Sequence, residues 1–241
     1  MIRPPAAFIA ACLGVMLLAP SAGRAMPDMS APVAWSDTGA EPFVQRDAAH
    51  HPTAIGLVIP AALAKALPAK RAEAIYPLER AGLVRSANLQ WHPTGHEPAH
   101  VYDVPHFDVH FFTITEDVRH TILPGAAAGT VRPRKANLPP GAFVAPGFVP
   151  MMGMHAVAGA QPEFNHGTFG ITPIVGYWNG DVAFFEVMFT KAWLLRNIDK
   201  EAAFPQPASV RRHGWYPTRY TVSYDKEKDA YTVALTHFLQ R

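Results

Sequence analysis

The sequence predicts a mainly β protein of the β-rich α+β class, an antiparallel barrel or sandwich with two short helices. Several short segments alternate apolar and polar residues with a period of two, as half-buried strands do. Asn179-Gly180 between two such segments is a strong signal for a two-residue hairpin. The chain also contains 24 Pro and 17 Gly, a composition that favours many short elements joined by turns.

The strands can be assigned from these patterns in chain order. We expect strands at residues 55–59, 80–91, 106–115, 170–178, 181–190, 219–224 and 230–238. The last two should form a second hairpin around residues 225–229. Residues 118–123 are expected to pair with the strand before them or to continue it.

Two stretches have helical character, and one long stretch reads as a loop. Pro60, at a tolerated first-turn position, is followed by good helix formers, which predicts a short helix over 60–67. Residues 70–79 should extend it or add a second turn. Residues 191–203 give the second helix. The Gly-, Pro- and Ala-rich segment 124–150 is expected to be a long ordered loop.

Residues 1–25 have the composition of a secretory signal peptide, with a basic start, an apolar run and a small-x-small cleavage site after Ala25. This predicts a periplasmic or secreted protein with a loose N-terminal segment over 26–50 and one β-rich domain over 51–241. A competing interpretation, a lipobox at Cys12, ranks lower because the apolar run hardly precedes the cysteine.

Charge and cysteine content restrict the function. Removing Arg3 and Arg24 with the leader leaves 19 basic and 19 acidic residues, which argues against binding to nucleic acid or to an anionic membrane surface. Cys12 is the only cysteine, so the mature chain has no disulfide or thiolate. Any metal must be held by His, Asp, Glu, Met or backbone oxygen.

The segment from Tyr102 to Phe112 carries the clearest chemical signal. His106, Asp108 and His110 occupy every second position, and aromatic or apolar residues fill the alternate ones. On a strand these three residues share one face, as in metal sites and acid/base sites built on sheets. The plainer interpretation is a polar strand face that is hydrogen-bonded or meets water. Nearby histidines at 92, 96 and 100 favour a functional site, and both interpretations stay open.

Strand geometry limits which of these residues can share an ion. Residues i and i+4 on a straight strand lie roughly 13 Å apart, and i and i+2 roughly 6.6 Å. His106 and His110 are therefore not expected to bind the same metal unless a bulge intervenes. One histidine, together with Asp108 as ligand or orienting group, should be completed by residues of other strands.

Two further segments supply candidates. Three methionines precede His155, a combination that also suits Cu(I) through Met151, Met154 and His155, although methionines are more often packing residues. Glu186 lies in an apolar strand, where a carboxylate must be paired, metal-bound or protonated. The structural alternative is an ion pair with Lys191, Arg196, Arg211 or Arg212.

The boxes that contain these residues resemble a bacterial domain-of-unknown-function family of secreted proteins, typified by a Thermus protein under extracytoplasmic sigma-factor control. The matching segments are 95–98, Tyr102–Phe111, Pro150–His155 and Phe184–Thr190, with a weaker match at 55–58 and 63–68. The resemblance implies a β-rich fold and a shared metal or ligand pocket, without an established activity. In that family the segment that corresponds to Phe184–Thr190 usually contains Glu-Pro-Met, whereas Val187 follows Glu186 here.

Three functional hypotheses follow. The first is a protein that binds a divalent transition metal (zinc, iron, manganese or copper) through His110, His155 and Glu186, with His106 and Asp108 as ligands or orienting groups. The sequence leaves open whether this protein is an enzyme. The second is a non-catalytic envelope-stress protein that binds a small molecule or forms a homo-oligomer. The third is a periplasmic copper binder. The chain has no Gly-rich phosphate loop and no Gly-x-Ser-x-Gly elbow.

Overall fold

The computed structural model describes residues 32–145 and 148–241. The predicted leader, with Cys12, lies outside the described residues. No helix among the described residues is long and apolar enough to cross a membrane.

Two sheets form a sandwich-like fold, and within the described ranges neither sheet closes into a barrel. Among the described residues the larger sheet has eight strands, in spatial order β1 (Val33–Ala34), β4 (Ala72–Ala81), β5 (Val84–His92), β6 (His106–Phe112), β10 (Asp181–Thr190), β9 (Ile171–Trp178), β8 (Met154–Ala158) and β7 (Ala142–Val144). The smaller sheet has five, in the order β11 (Lys200–Ala203), β12 (Trp215–Asp225), β13 (Ala230–Gln240), β3 (Pro52–Pro60) and β2 (Glu41–Arg46).

The two sheets meet through apolar side chains on one face of each. From β6 these are Phe107, Val109 and Phe111, which pack with residues of β3, β12 and β13 in one large core. Because successive strand residues point to opposite faces, the same strand turns its polar residues away from this core. A smaller apolar cluster lies on that other face of the eight-stranded sheet; its members include Tyr102, Phe112, Met152, Phe169, Phe184 and Met188.

Both predicted hairpins are present. β9 and β10 join at Asn179-Gly180, and both residues have positive φ (51° and 73°), as the tight primed turns require. β12 and β13 pair along almost their full length. These turns could be read from sequence because their chemistry is local.

The described residues contain two short α-helices, of which only the second in chain order lies in a segment that was predicted to be helical. α1 (Glu116–His120) occupies a segment that we expected to be β, and that prediction was wrong. Thr115 caps α1 by accepting a hydrogen bond from the Val118 N–H (3.4 Å), and Glu116 and Asp117 fill its first turn. α2 (Lys191–Leu194) covers only the start of the predicted helix, whose end is β11 instead.

Two other predictions need correction. Residues 70–79 were expected to be helical, but they form β4, which pairs antiparallel with β5; strand pairing overrides the helix propensity of Ala and Glu there. Residues 26–50 were expected to be loose, yet β2 pairs with β3 as the edge of the smaller sheet. The predicted helix over 60–67 is a 3-10 helix at Ala61–Lys65.

Candidate metal centre

The polar face of β6 lies in the middle of the larger sheet, between β5 and β10. The antiparallel register places His110 opposite Asn88 on one side and Glu186 on the other, and Asp108 opposite Gln90. Directly opposite side chains in such pairs approach within about 5 Å. This face is buried: His110 is 1% exposed, Asp108 2% and Glu186 2%.

One group of potential ligands consists of His110, His155 and Glu186, whose ligand atoms all lie within 4.8 Å of one another. His110 Nε2 is 3.3 Å from Glu186 Oε1, and His155 Nε2 is 4.0 Å from Glu186 Oε2. His110 Nε2, His110 Nδ1 and Glu186 Oε2 are buried and make no hydrogen bond to any described residue. Leaving such atoms unpaired in the interior is costly, so their convergence indicates a site able to hold a cation.

His155 reaches this group from β8, across the intervening strand β9. The residue opposite His155 on β9 is Gly176, which presents no side chain. A Cβ at Gly176 would lie 2.0 Å from Cε1 of Phe184. The ring of Phe184 also lies 4.9 Å from that of His110 and 5.1 Å from that of His155. Gly176 therefore lets Phe184 support both imidazoles.

Replacement of Gly176 with alanine should destabilise the protein by about 1–3 kcal/mol, because the added methyl overlaps the buried Phe184 ring. Equilibrium urea unfolding measures this loss. Gly125→Ala is the control for adding a methyl group at a glycine, since a Cβ there meets no atom within 4 Å; its positive φ (83°) leaves a smaller strain cost of its own. Equal stability of the two variants would contradict the packing role of Gly176.

A second group consists of His92, His96, His106 and Asp108. His92 ends β5 opposite His106, and His96 comes from the loop of residues 93–105. Asp108 Oδ2 is 3.0 Å from His92 Nε2 and 3.3 Å from His96 Nε2, and Asp108 Oδ1 is 3.3 Å from His106 Nε2. Both groups could therefore hold a metal ion, and His106 and His110 lie in different groups.

The buried environment sets the ionisation of these side chains. Burial lowers the pKa of His106 to about 3 and that of His155 to about 4, and it holds the pKa of His110 well below its usual range. Neutral imidazoles carry the lone pair that a metal needs. Burial, with the nearby Asp108 charge, raises the pKa of Glu186 well above normal. Although burial of Asp108 opposes ionisation, the surrounding histidines lower its pKa well below normal.

A polar network fixes the β5 side of the site. Glu73 Oε1 accepts hydrogen bonds from Asn88 (2.9 Å), Gln90 (2.8 Å) and Arg119 (3.0 Å). Arg119 is 1% exposed and its guanidinium lies 4.1 Å over the ring of Phe112. The side chains of Asn88 and Gln90 are thus held by the Glu73 carboxylate of the neighbouring strand β4, which is in turn paired with Arg119.

Both groups line one cavity of about 300 Å³. The remaining wall is largely apolar and comes from strands β7 to β9 and from the segments between strands; it includes Phe143, Phe148, Val149, Met152, Phe164 and Ile174. A cavity with an apolar wall and a few converging polar groups is the usual form of a small-molecule site.

The structure brings the five predicted site residues onto one surface but divides them between the two groups. The proposed copper set is not assembled, because Met154 packs in the core between the sheets while its neighbour His155 points to the opposite face. Glu186 faces histidines rather than the basic residues named as alternatives. His92 and His96 were not selected, although Asn88, Gln90 and His92 alternate with Leu89 and Trp91 in the same way as the residues of β6.

No family model, curated protein or solved structure gives a significant match to this chain. The resemblance based on the four sequence boxes therefore stays a prediction.

Proposed function

We propose that the protein binds a divalent transition metal ion through His110, His155 and Glu186. The observation that carries this proposal is the convergence of buried ligand atoms that lack a hydrogen-bond partner within residues 32–145 and 148–241. His110 Nε2 and Glu186 Oε2 are two such atoms, and His110 Nε2 is 3.3 Å from the other Glu186 oxygen. Ligand atoms about 2.0–2.2 Å from a zinc or iron ion lie roughly 3.0–3.5 Å from one another. The His110–Glu186 separation of 3.3 Å falls in this range, and the His155–Glu186 separation of 4.0 Å is somewhat longer.

Two imidazoles and one carboxylate suit zinc, iron(II) and manganese, and sites of this type keep coordination positions open for water or substrate. Here the open side faces the apolar cavity. We therefore include in the proposal a small molecule with an apolar body and an oxygen atom directed at the metal. A bound ion would supply Lewis acidity or a water of lowered pKa, and Asn88 and Phe184 would hold the ligands in place.

The test is elemental mass spectrometry on untagged protein after dialysis. Relative to wild type, Glu186→Gln and His155→Ala should each lose one equivalent of metal, or bind it at least about 100-fold more weakly in competition with a chelating dye. His213→Ala, a change at an exposed histidine, should keep the full content. Native mass spectrometry of the same samples checks for a co-purified small molecule.

Unchanged metal content in both Glu186→Gln and His155→Ala would overturn the proposal. So would a wild-type protein that binds none of zinc, iron, manganese or copper after reconstitution. The buried residues would then be a hydrogen-bonded polar cluster that needs a non-metal ligand for its unpaired atoms.

A further inference from the structure

The second group of potential ligands, His92, His96, His106 and Asp108, is geometrically separate from the proposed metal triad. Its four ligand atoms lie within 4.8 Å of one another. The two groups are connected along β6, where Asp108 and His110 are two residues apart, roughly 6.6 Å between Cα atoms. A single ion therefore cannot be bound by both groups of ligands at once.

Backbone hydrogen bonds orient two of the imidazoles. His106 Nδ1 is 2.7 Å from the carbonyl oxygen of Val104, and His96 Nδ1 is 2.6 Å from that of Glu97. A carbonyl only accepts, so each Nδ1 carries the proton, and in a neutral ring Nε2 carries the lone pair. Metal-binding histidines are commonly fixed in this way by a hydrogen bond from the other ring nitrogen.

Both Nε2 atoms then face the same carboxylate. His106 Nε2 and Asp108 Oδ1 are 3.3 Å apart and buried, and neither has a hydrogen-bond partner in the part of the chain that the structure describes. His96 Nε2 lies 3.3 Å from Asp108 Oδ2. In neutral rings, two lone pairs are directed at an acceptor-only carboxylate, an arrangement that a cation between them would stabilise.

We propose that His92, His96, His106 and Asp108 bind a second divalent metal ion in a closed, tetrahedral site. Four protein ligands of imidazole and carboxylate type, with no position left open, are typical of structural zinc. Asp108 Oδ2 lies 3.0 Å from His92 Nε2 and 3.3 Å from His96 Nε2, and the other oxygen, Oδ1, lies 3.3 Å from His106 Nε2. Separations of this size are near the roughly 3.3–3.5 Å expected between two ligand atoms of tetrahedral zinc.

This second ion would fasten a loop over the triad cavity. His96 is the ligand contributed by the loop of residues 93–105, and the same loop supplies Glu97, Pro98 and Tyr102 to the cavity wall. The loop is already closely packed at Gly95 (φ 75°), where a Cβ would lie 2.1 Å from the carbonyl oxygen of Tyr102. The second site thereby connects the loop to β5 and β6.

Elemental analysis with zinc as the probe tests this inference. Wild-type protein reconstituted with zinc and dialysed should hold two ions per chain, and His96→Ala and His96→Gln should each hold one. His100→Ala, at an exposed histidine of the same loop, should hold two.

In wild type, cleavage within residues 93–105 by a non-metalloprotease should increase at least tenfold after chelation, and in His96→Gln chelation should make little difference.

The outcomes separate this inference from the proposed function. Loss of one ion in His96→Ala and His96→Gln, with Glu186→Gln also losing one, supports two sites. If only Glu186→Gln loses an ion, the second site is overturned while the triad stands. If only the His96 variants lose one, the second site stands and the triad fails. Circular dichroism and thermal melting exclude unfolding as the cause, and His96→Gln preserves most of the side-chain volume.

Discussion

Replacement of Arg119 with alanine is expected to lower the free energy of unfolding by about 3–5 kcal/mol. Arg119 is 1% exposed, donates to Glu73 Oε1 (3.0 Å) and Glu116 Oε2 (2.8 Å), and also donates to the carbonyl of Met151 (3.3 Å). Its removal leaves Glu73, whose side chain is only 10% exposed, as a buried carboxylate without its counter-charge. Urea denaturation at pH 7 measures the effect.

The predicted loss of stability in Arg119→Ala depends on the burial of the ion pair, and an exposed ion pair provides a matched control for this dependence. Arg219 pairs with Glu201, and both side chains are more than one-third exposed (39% and 47%). Arg219→Ala should cost less than about 1 kcal/mol, because water screens such pairs. The double variant Arg119→Met/Glu73→Gln should recover part of the loss, since no buried charge then stands alone. If Arg119→Ala and Arg219→Ala lower the free energy of unfolding by the same amount, the buried network of Arg119 and Glu73 contributes no more to stability than an exposed ion pair.

The same substitution should weaken metal binding without touching a proposed ligand. Glu73 also holds Asn88 and Gln90, the residues opposite His110 and Asp108. Arg119 further fixes Met151, four residues before His155. Groups that orient ligands in this way commonly contribute 10–100-fold to metal affinity. The chelator competition used for the triad gives this value, provided the variant is folded under the assay conditions.

The sequence predicted much of the site because its signal is local to one strand. Alternation in β6 separates His106, Asp108 and His110 from Phe107, Val109 and Phe111, and this division depends only on strand periodicity. The isolated Glu186 in an apolar strand also stands out without knowledge of the fold. What the sequence could not show is register: only strand pairing places Glu186 opposite His110, and only the sheet order brings β8 and His155 to the same face.

The wrong secondary-structure predictions lie where long-range strand pairing, or a short capped helix, outweighs the average propensity of the residues. Residues 72–81 are rich in helix formers, but β5 offers an antiparallel partner along most of their length. At residues 116–120 the cap residue and the acidic first turn were present in the sequence, but the β-branched and apolar residues around them favoured a strand. His96 was missed because its loop has no periodicity; only the fold of that loop brings it to Asp108.

Metal-free protein is expected to lose about 3 kcal/mol or more of stability between pH 7 and pH 4. Burial lowers the folded-state pKa of His106 to about 3 and that of His155 to about 4, and it also lowers those of His92 and His110. Below the ordinary histidine value of about 6.5, the unfolded chain binds protons that the folded protein does not, so stability falls with pH until the folded-state values are reached. Urea denaturation in the presence of a chelator at pH 7, 6, 5 and 4 measures how the free energy of unfolding changes with pH.

Two groups act in the opposite direction, because their pKa values are raised. Burial, with the Asp108 charge, raises the pKa of Glu186; burial opposes the charge of His96, but the hydrogen bond and charge of Asp108 raise its pKa overall. Their contribution to stability is present at low pH and is lost as pH rises through the folded-state values, so acidification recovers part of the stability that is lost through the other histidines. His106→Gln should show a shallower decline than wild type, because one buried imidazole no longer titrates, and His213→Ala should match wild type. Bound metal should shift the decline to lower pH, since protons and the ion compete for the same nitrogens. A pH-independent stability over this range would show that these histidines are accessible to protons in the folded protein, and the closed, buried site described here would then be wrong.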